Sequence, residues 1–149
     1  MSVSGLEVLD TSIQKTNIWL KELMERLETA DRHRAYMALK VTLHALRDRL
    51  SVEEAAQLGA QLPLIVRGLF YEGWRPTVRS DRASSWENFM KPVYLAVCQD
   101  GSCTPEEVVS AVFDLLSRHV TSGEIDDVIA QLPRDIRSLW PAQARTIMR

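Results

Sequence analysis

Apolar residues recur at three- and four-residue steps along almost the whole chain, and alternating, strand-like runs are nearly absent. From about residue 10 to residue 28, Leu9, Ile13, Leu20, Leu23, Met24 and Leu27 fall on one helical face, with Lys15, Lys21, Glu22, Glu25 and Arg26 away from it. Asp31 is placed to cap a second helix, on which Tyr36, Leu39, Leu43, Leu46 and Leu50 form the apolar stripe. Ser51 with Glu54 makes a capping-box pattern that opens a third, shorter helix through about Gln61. Pro63 stops that helix and suits the first turn of a fourth, from Leu64 to Glu72, which Gly73 ends.

Residues 74–83 (WRPTVRSDRA) carry no helical periodicity and read as a connector, after which the same order of signals returns. Ser84 with Glu87 is a capping box before Trp86, Phe89, Met90, Val93, Tyr94 and Val97. Pro92 lies inside that helix and predicts a kink or a break. Thr104 caps the next helix, with Pro105 in its first position; Val108, Val109, Val112, Phe113, Leu116 and Val120 follow as its face. Thr121 with Glu124 opens another short helix, Pro133 ends it, and a last turn carries Ile136, Leu139 and Trp140 before Pro141.

The two halves match at a constant offset of 70 residues without a gap. Between 36–70 and 106–140, eight of 35 positions are identical, among them Ala60-Gln61-Leu62-Pro63 against Ala130-Gln131-Leu132-Pro133. Apolar positions pair in the same register, for example Leu43 with Phe113 and Phe70 with Trp140. This predicts an all-α fold, a tandem duplication of a four-helix unit forming one bundle-like domain over 1–149. Its pseudo-repeats cover about 1–73 and 80–141, joined by the connector 74–83.

Composition narrows the function more by exclusion than by assertion. The 149 residues are 46% hydrophobic and 26% charged, as in a globular domain. The net charge is −2, from 18 basic and 20 acidic residues of mixed position, so the basic excess that drives nucleic-acid binding is missing. No apolar run approaches the roughly 20 residues that cross a bilayer, and the first residues do not read as a signal peptide. Two cysteines are too few for a disulfide framework, which points to a cytoplasmic protein with reduced thiols.

The strings Asp31-Arg32-His33-Arg34-Ala35-Tyr36, His44-Ala45-Leu46-Arg47-Asp48-Arg49-Leu50, Gly59 to Pro63, and Arg67-Gly68-Leu69-Phe70-Tyr71-Glu72-Gly73-Trp74 resemble a bacterial family catalogued as a domain of unknown function, number 2267. Ala130-Gln131-Leu132-Pro133 and Leu139-Trp140-Pro141 carry the resemblance through the second half. It implies a helical fold and brings no known activity, so it assigns no catalytic residue.

Patterns that carry chemistry are sparse. His33, His44 and His119 lack a Glu three positions earlier, and no His-x-x-x-His or Cys-x-x-Cys spacing occurs, so neither a metal nor another cofactor is expected. There is no Gly-x-Ser-x-Gly elbow and no glycine-rich phosphate loop. Cys98 and Cys103 flank a short loop containing Gly101, which leaves open a redox pair or two ordinary thiols. Glu54/Glu124, Gln61/Gln131 and Arg67/Arg137 recur in both halves and are read as serving the fold. What only one half has includes Arg32–Arg34, Arg47 and Asp48, the connector's Arg75, Arg79 and Arg82, and, as the first candidate, the aromatic end Phe70-Tyr71-Glu72-Gly73-Trp74. These residues either cement the halves or form a site.

The function predicted is therefore a non-catalytic helical module for protein interaction or assembly, with another protein or a second copy as partner and without nucleic acid or membrane. The alternative is a binding or catalytic site for a small anionic ligand at the junction of the repeats, using Arg67, Tyr71, Trp74 and Arg75.

Overall fold

The computed structural model describes residues 2–76 and 85–146, with side chains to residue 144. The middle and end of the predicted connector, with Arg79 and Arg82, and the Ser84 cap lie outside them. The described residues are all helical, without a strand. In chain order they form α1 (Glu7–Arg26), α2 (Arg32–Arg47), α3 (Val52–Ala60), α4 (Leu64–Tyr71), α5 (Trp86–Val93), a π-turn (Tyr94–Cys98), α6 (Pro105–His119), α7 (Ser122–Ala130), α8 (Arg134–Arg137) and α9 (Ala142–Thr146). The last lies beyond the turn that Pro141 was expected to close. None of these helices is long and apolar enough to cross a membrane.

Local signals explain most boundaries. Asp31, Ser51, Thr104 and Thr121 each accept a backbone N–H in the first turn of the helix they cap. α1 ends in a Schellman arrangement, Thr29 N–H to Met24 O at 3.0 Å and Glu28 N–H to Glu25 O at 3.2 Å, with Glu28 at φ 53°. Gly73, at φ 71°, takes the chain out of α4 in the left-handed conformation that glycine tolerates best.

Several expectations are corrected. The cap of α5 is Ser85, which accepts from Asn88 N–H at 3.1 Å. Pro63 and Pro133 occupy N-cap positions, where a proline offers no side-chain acceptor. Leu9 is 38% exposed, because the first turns of α1 run past the core and burial begins at Ser12. Pro92 does not end the helical path. One residue beyond it the α-helix gives way to the π-turn, whose i→i−5 spacing absorbs the disturbance. The wider turn also shifts the register, so Tyr94 is 46% exposed while Val97 and Cys98 are buried.

α2 is the central element, packed against α1, α4, α5, α6 and the π-turn. α1 also lies on α4 and α6, and α3 lies on α4 and α7. One continuous core results, with Leu23, Leu39, Leu43, Phe70, Phe89, Phe113 and Trp140 fully buried. Phe113 stacks on Trp140 at 4.1 Å and 11° and meets Phe89 edge-on.

Both Leu43→Ala and Phe113→Ala remove side chains with no exposed surface. Each should lower unfolding free energy in urea by about 2–5 kcal/mol.

Candidate functional site

α3 and α7 face one another, and the glutamates in their first turns meet there. In a capping box the N3 carboxylate returns to the N-cap N–H. Here glutamines from the opposite helix end take that place. Gln131 accepts from Ser51 N–H at 2.8 Å, and Gln61 accepts from Thr121 N–H at 2.9 Å and donates to the Thr121 hydroxyl at 3.0 Å. Glu54 and Glu124 are thereby released from capping, and both turn inward and are 7% exposed. Their oxygens and one from the exposed Asp127 all lie within 4.8 Å of one another.

Two buried carboxylates at that separation cannot both carry charge cheaply. Burial, then a hydrogen bond to Glu54, push Glu124 up to about 8. One proton shared between them halves the charge of the pair, leaving a single negative charge to be buried.

The predicted site residues are placed around the end of α4. Arg67 donates from Nε to Gly59 O at 2.9 Å and from Nη2 to Ala60 O at 3.2 Å and Leu62 O at 3.0 Å. It closes the C-terminus of α3, as Arg137 does for α7 through Leu132 O and Ala130 O. Tyr71 and Trp74 come together, stacked at 5.3 Å and 28°, each half-buried against the core. Arg75 follows them and is exposed. The arrangement is an aromatic ledge, and Arg67, its guanidinium already on three carbonyls, is turned to α3.

Tyr71 also explains Gly59. A Cβ at residue 59 would lie 2.2 Å from the Tyr71 hydroxyl, so the ring fills the space that a side chain on α3 would need. Seventy residues on, the sequence has Ile129, fully buried, and Pro141 at the corresponding positions.

α2 holds the same end of α4. Arg47, 5% exposed, donates to Phe70 O and Glu72 O, each at 2.9 Å, and Lys40 pairs with Glu72 at 2.8 Å. His44 Nε2 lies 2.8 Å from Leu69 O, and burial lowers its pKa, so the neutral ring donates there.

A third cluster, read in the sequence only as an open possibility, gathers at the end of the π-turn. Cys98 Sγ and Cys103 Sγ are 2.9 Å apart. Arg34 of α2 reaches across 60 residues of chain to donate to Val97 O at 2.7 Å, Ser102 Oγ at 2.6 Å and Asp100 Oδ2 at 2.5 Å. The paired charge holds the Asp100 carboxyl well below the usual carboxylate range. Spacing could suggest the cysteine pair, but nothing in the sequence ties Arg34 to it.

Two measurements check the geometry. Between the ordinary carboxylate range and pH 8 the folded protein keeps a proton on Glu124 that the unfolded chain has released, so stability falls as pH rises through that window. Glu124→Gln should flatten the slope and be about 1–3 kcal/mol more stable than wild type at pH 8.5; equal slopes would refute the shared proton. Gly59→Ala should destabilise the wild type yet stabilise a Tyr71→Ala background by up to about 1 kcal/mol, the ordinary helix preference for alanine.

No curated protein matches this sequence. A family model described as an uncharacterized conserved protein, DUF2267, matches residues 16–139, most of the chain. The helical architecture and its reciprocal caps therefore belong to a member of that family, and the chain is a DUF2267 protein.

Proposed function

We propose that this protein is a non-catalytic assembly module, built from a duplicated helical unit, that self-associates through the face shared by the first turns of α1 and α4. The observation that carries this reading is an apolar surface left uncovered there. Val8 is 68% exposed, Leu64 47% and Ile65 45%, beside the partly exposed Leu9. The two helix starts are tied together, since Ser12 Oγ accepts from Ile65 N–H at 3.1 Å. They border an open cleft of about 590 Å³ that includes Glu7, Val8, Lys15, Leu64 and Arg67.

Exposed aliphatic side chains clustered in and beside such a cleft favour a macromolecular partner. The charge pattern favours a second copy. Glu7 and Lys15 sit two turns apart on α1, so a twofold arrangement brings each glutamate to the other chain's lysine while the apolar residues meet between them. The small-anion alternative is weakened by the engagement of Arg67 with three carbonyls.

The duplicated unit, with 1–149 as one domain, is supported by the burial register. Leu39/Val109, Leu43/Phe113 and Leu46/Leu116 are all buried at the 70-residue offset, and the core is continuous between the halves. The reciprocal glutamines add a polar counterpart. A cytoplasmic setting accords with the two free thiols.

Sedimentation velocity at tens of micromolar protein tests the assembly. Wild type should sediment as a dimer, and Val8→Asp with Ile65→Asp as a monomer of unchanged helicity. A monomeric wild type, or a double variant that still dimerises, would remove this surface from the account.

A further inference from the structure

Cys98 belongs to the core and Cys103 packs against it, but the assembly reading uses neither, and their surroundings differ from those of two incidental thiols. The sulfurs are already in contact at 2.9 Å, so joining them needs no travel of the backbone. The two cysteines are unequal. Cys98 is 2% exposed at the end of the π-turn, and burial with the neighbouring sulfur pushes its thiol up to about 12. Cys103 is half-buried and lines an open cleft of about 210 Å³ together with Leu27, Thr29, Ser102 and Val108.

A cation stands beside the accessible sulfur. Arg34 Nη1 is 4.0 Å from Cys103 Sγ, and its bonds to Val97 O, Ser102 Oγ and Asp100 fix it there. The guanidinium, which Asp100 also pairs, thus borders the accessible sulfur at a fixed position. The Cys103 thiol donates to Val97 O at 3.4 Å, a second contact that holds this sulfur at the end of the π-turn.

We infer that Cys98 and Cys103 form a reversible thiol–disulfide site that reacts with small hydroperoxides, Cys103 as the attacking sulfur, Cys98 as the resolving one and Arg34 as the positioning cation. The Cys103 thiolate attacks one peroxide oxygen; an S–O bond forms as the O–O bond breaks, and the departing oxygen takes a proton and leaves as alcohol or water. The Cys98 sulfur then attacks the sulfenic sulfur, gives up its proton and forms the S–S bond, and the sulfenic oxygen leaves as water. The two sulfurs together lose two electrons and the peroxide gains them. A dithiol reductant reverses the step by exchange.

The test uses the full chain, treated with stoichiometric hydrogen peroxide and followed by alkylation and mass spectrometry. Wild type should lose both alkylatable thiols with a mass decrease of two hydrogens, and dithiothreitol should restore them. Cys98→Ser should stop at a sulfenic acid on Cys103 that dimedone traps, whereas Cys103→Ser should leave Cys98 unreacted. Arg34→Gln should slow disulfide formation by about fivefold or more, and Arg34→Lys should recover most of the rate, while circular dichroism checks that both remain folded. Persistence of both thiols, dimedone labelling of Cys98 in preference to Cys103, or an unchanged rate in a folded Arg34→Gln protein would each overturn the assignment.

Discussion

A fold made of short helices is governed by its helix ends. A helix of eight or nine residues, such as α3, α4 or α7, leaves about as many backbone groups without an internal partner as it pairs. Burying such ends in one core is possible only if other elements supply donors and acceptors at the right places. Much of the polar side-chain chemistry here does this. Arg67 and Arg137 close α3 and α7, Arg47 and His44 close α4, Arg34 closes the π-turn, and Ser110 donates to Leu139 O beyond α8. Pro63 cannot cap α4 with a side chain, and Ser12 of α1 provides the acceptor instead.

That constraint accounts for how the charges are used. Arg34, Arg47, Arg67 and Arg137 have their guanidiniums on carbonyl oxygens, where a planar fork of donors serves several acceptors at once. It also accounts for the glutamate pair. Once the opposing glutamines take the N-cap amides, Glu54 and Glu124 have no capping duty left and meet across the α3–α7 contact, where a shared proton is the least costly way to lower the buried charge.

Much of the helical layout was legible in the sequence because caps and apolar spacing are local signals. Asp31, Ser51, Thr104 and Thr121 cap as their positions imply, and Leu43, Phe113 and Trp140 lie in the core as their stripes imply. What was not legible depended on partners distant in the chain. The recurrence of Arg67 pointed to a role in the fold but not to the end of α3 that it closes, and Ser51-x-x-Glu54 reads as an ordinary capping box until Gln131 arrives 80 residues later. Tyr94 fell off its predicted face because a 3.6-residue period was carried through a turn of different pitch. The link between Arg34 and the two sulfurs has no local trace.

The close approach of Tyr71 to Gly59 has a consequence for how such a sequence can change over time. Position 59 accepts a side chain only after position 71 has lost its ring, and an aromatic can enter at 71 only while 59 remains bare. The two sites therefore form a ratchet with a preferred order of steps, in which the fitness of one substitution is decided by whether the other came first. An intermediate that loses the ring first holds a cavity, whereas one that gains the side chain first holds a clash.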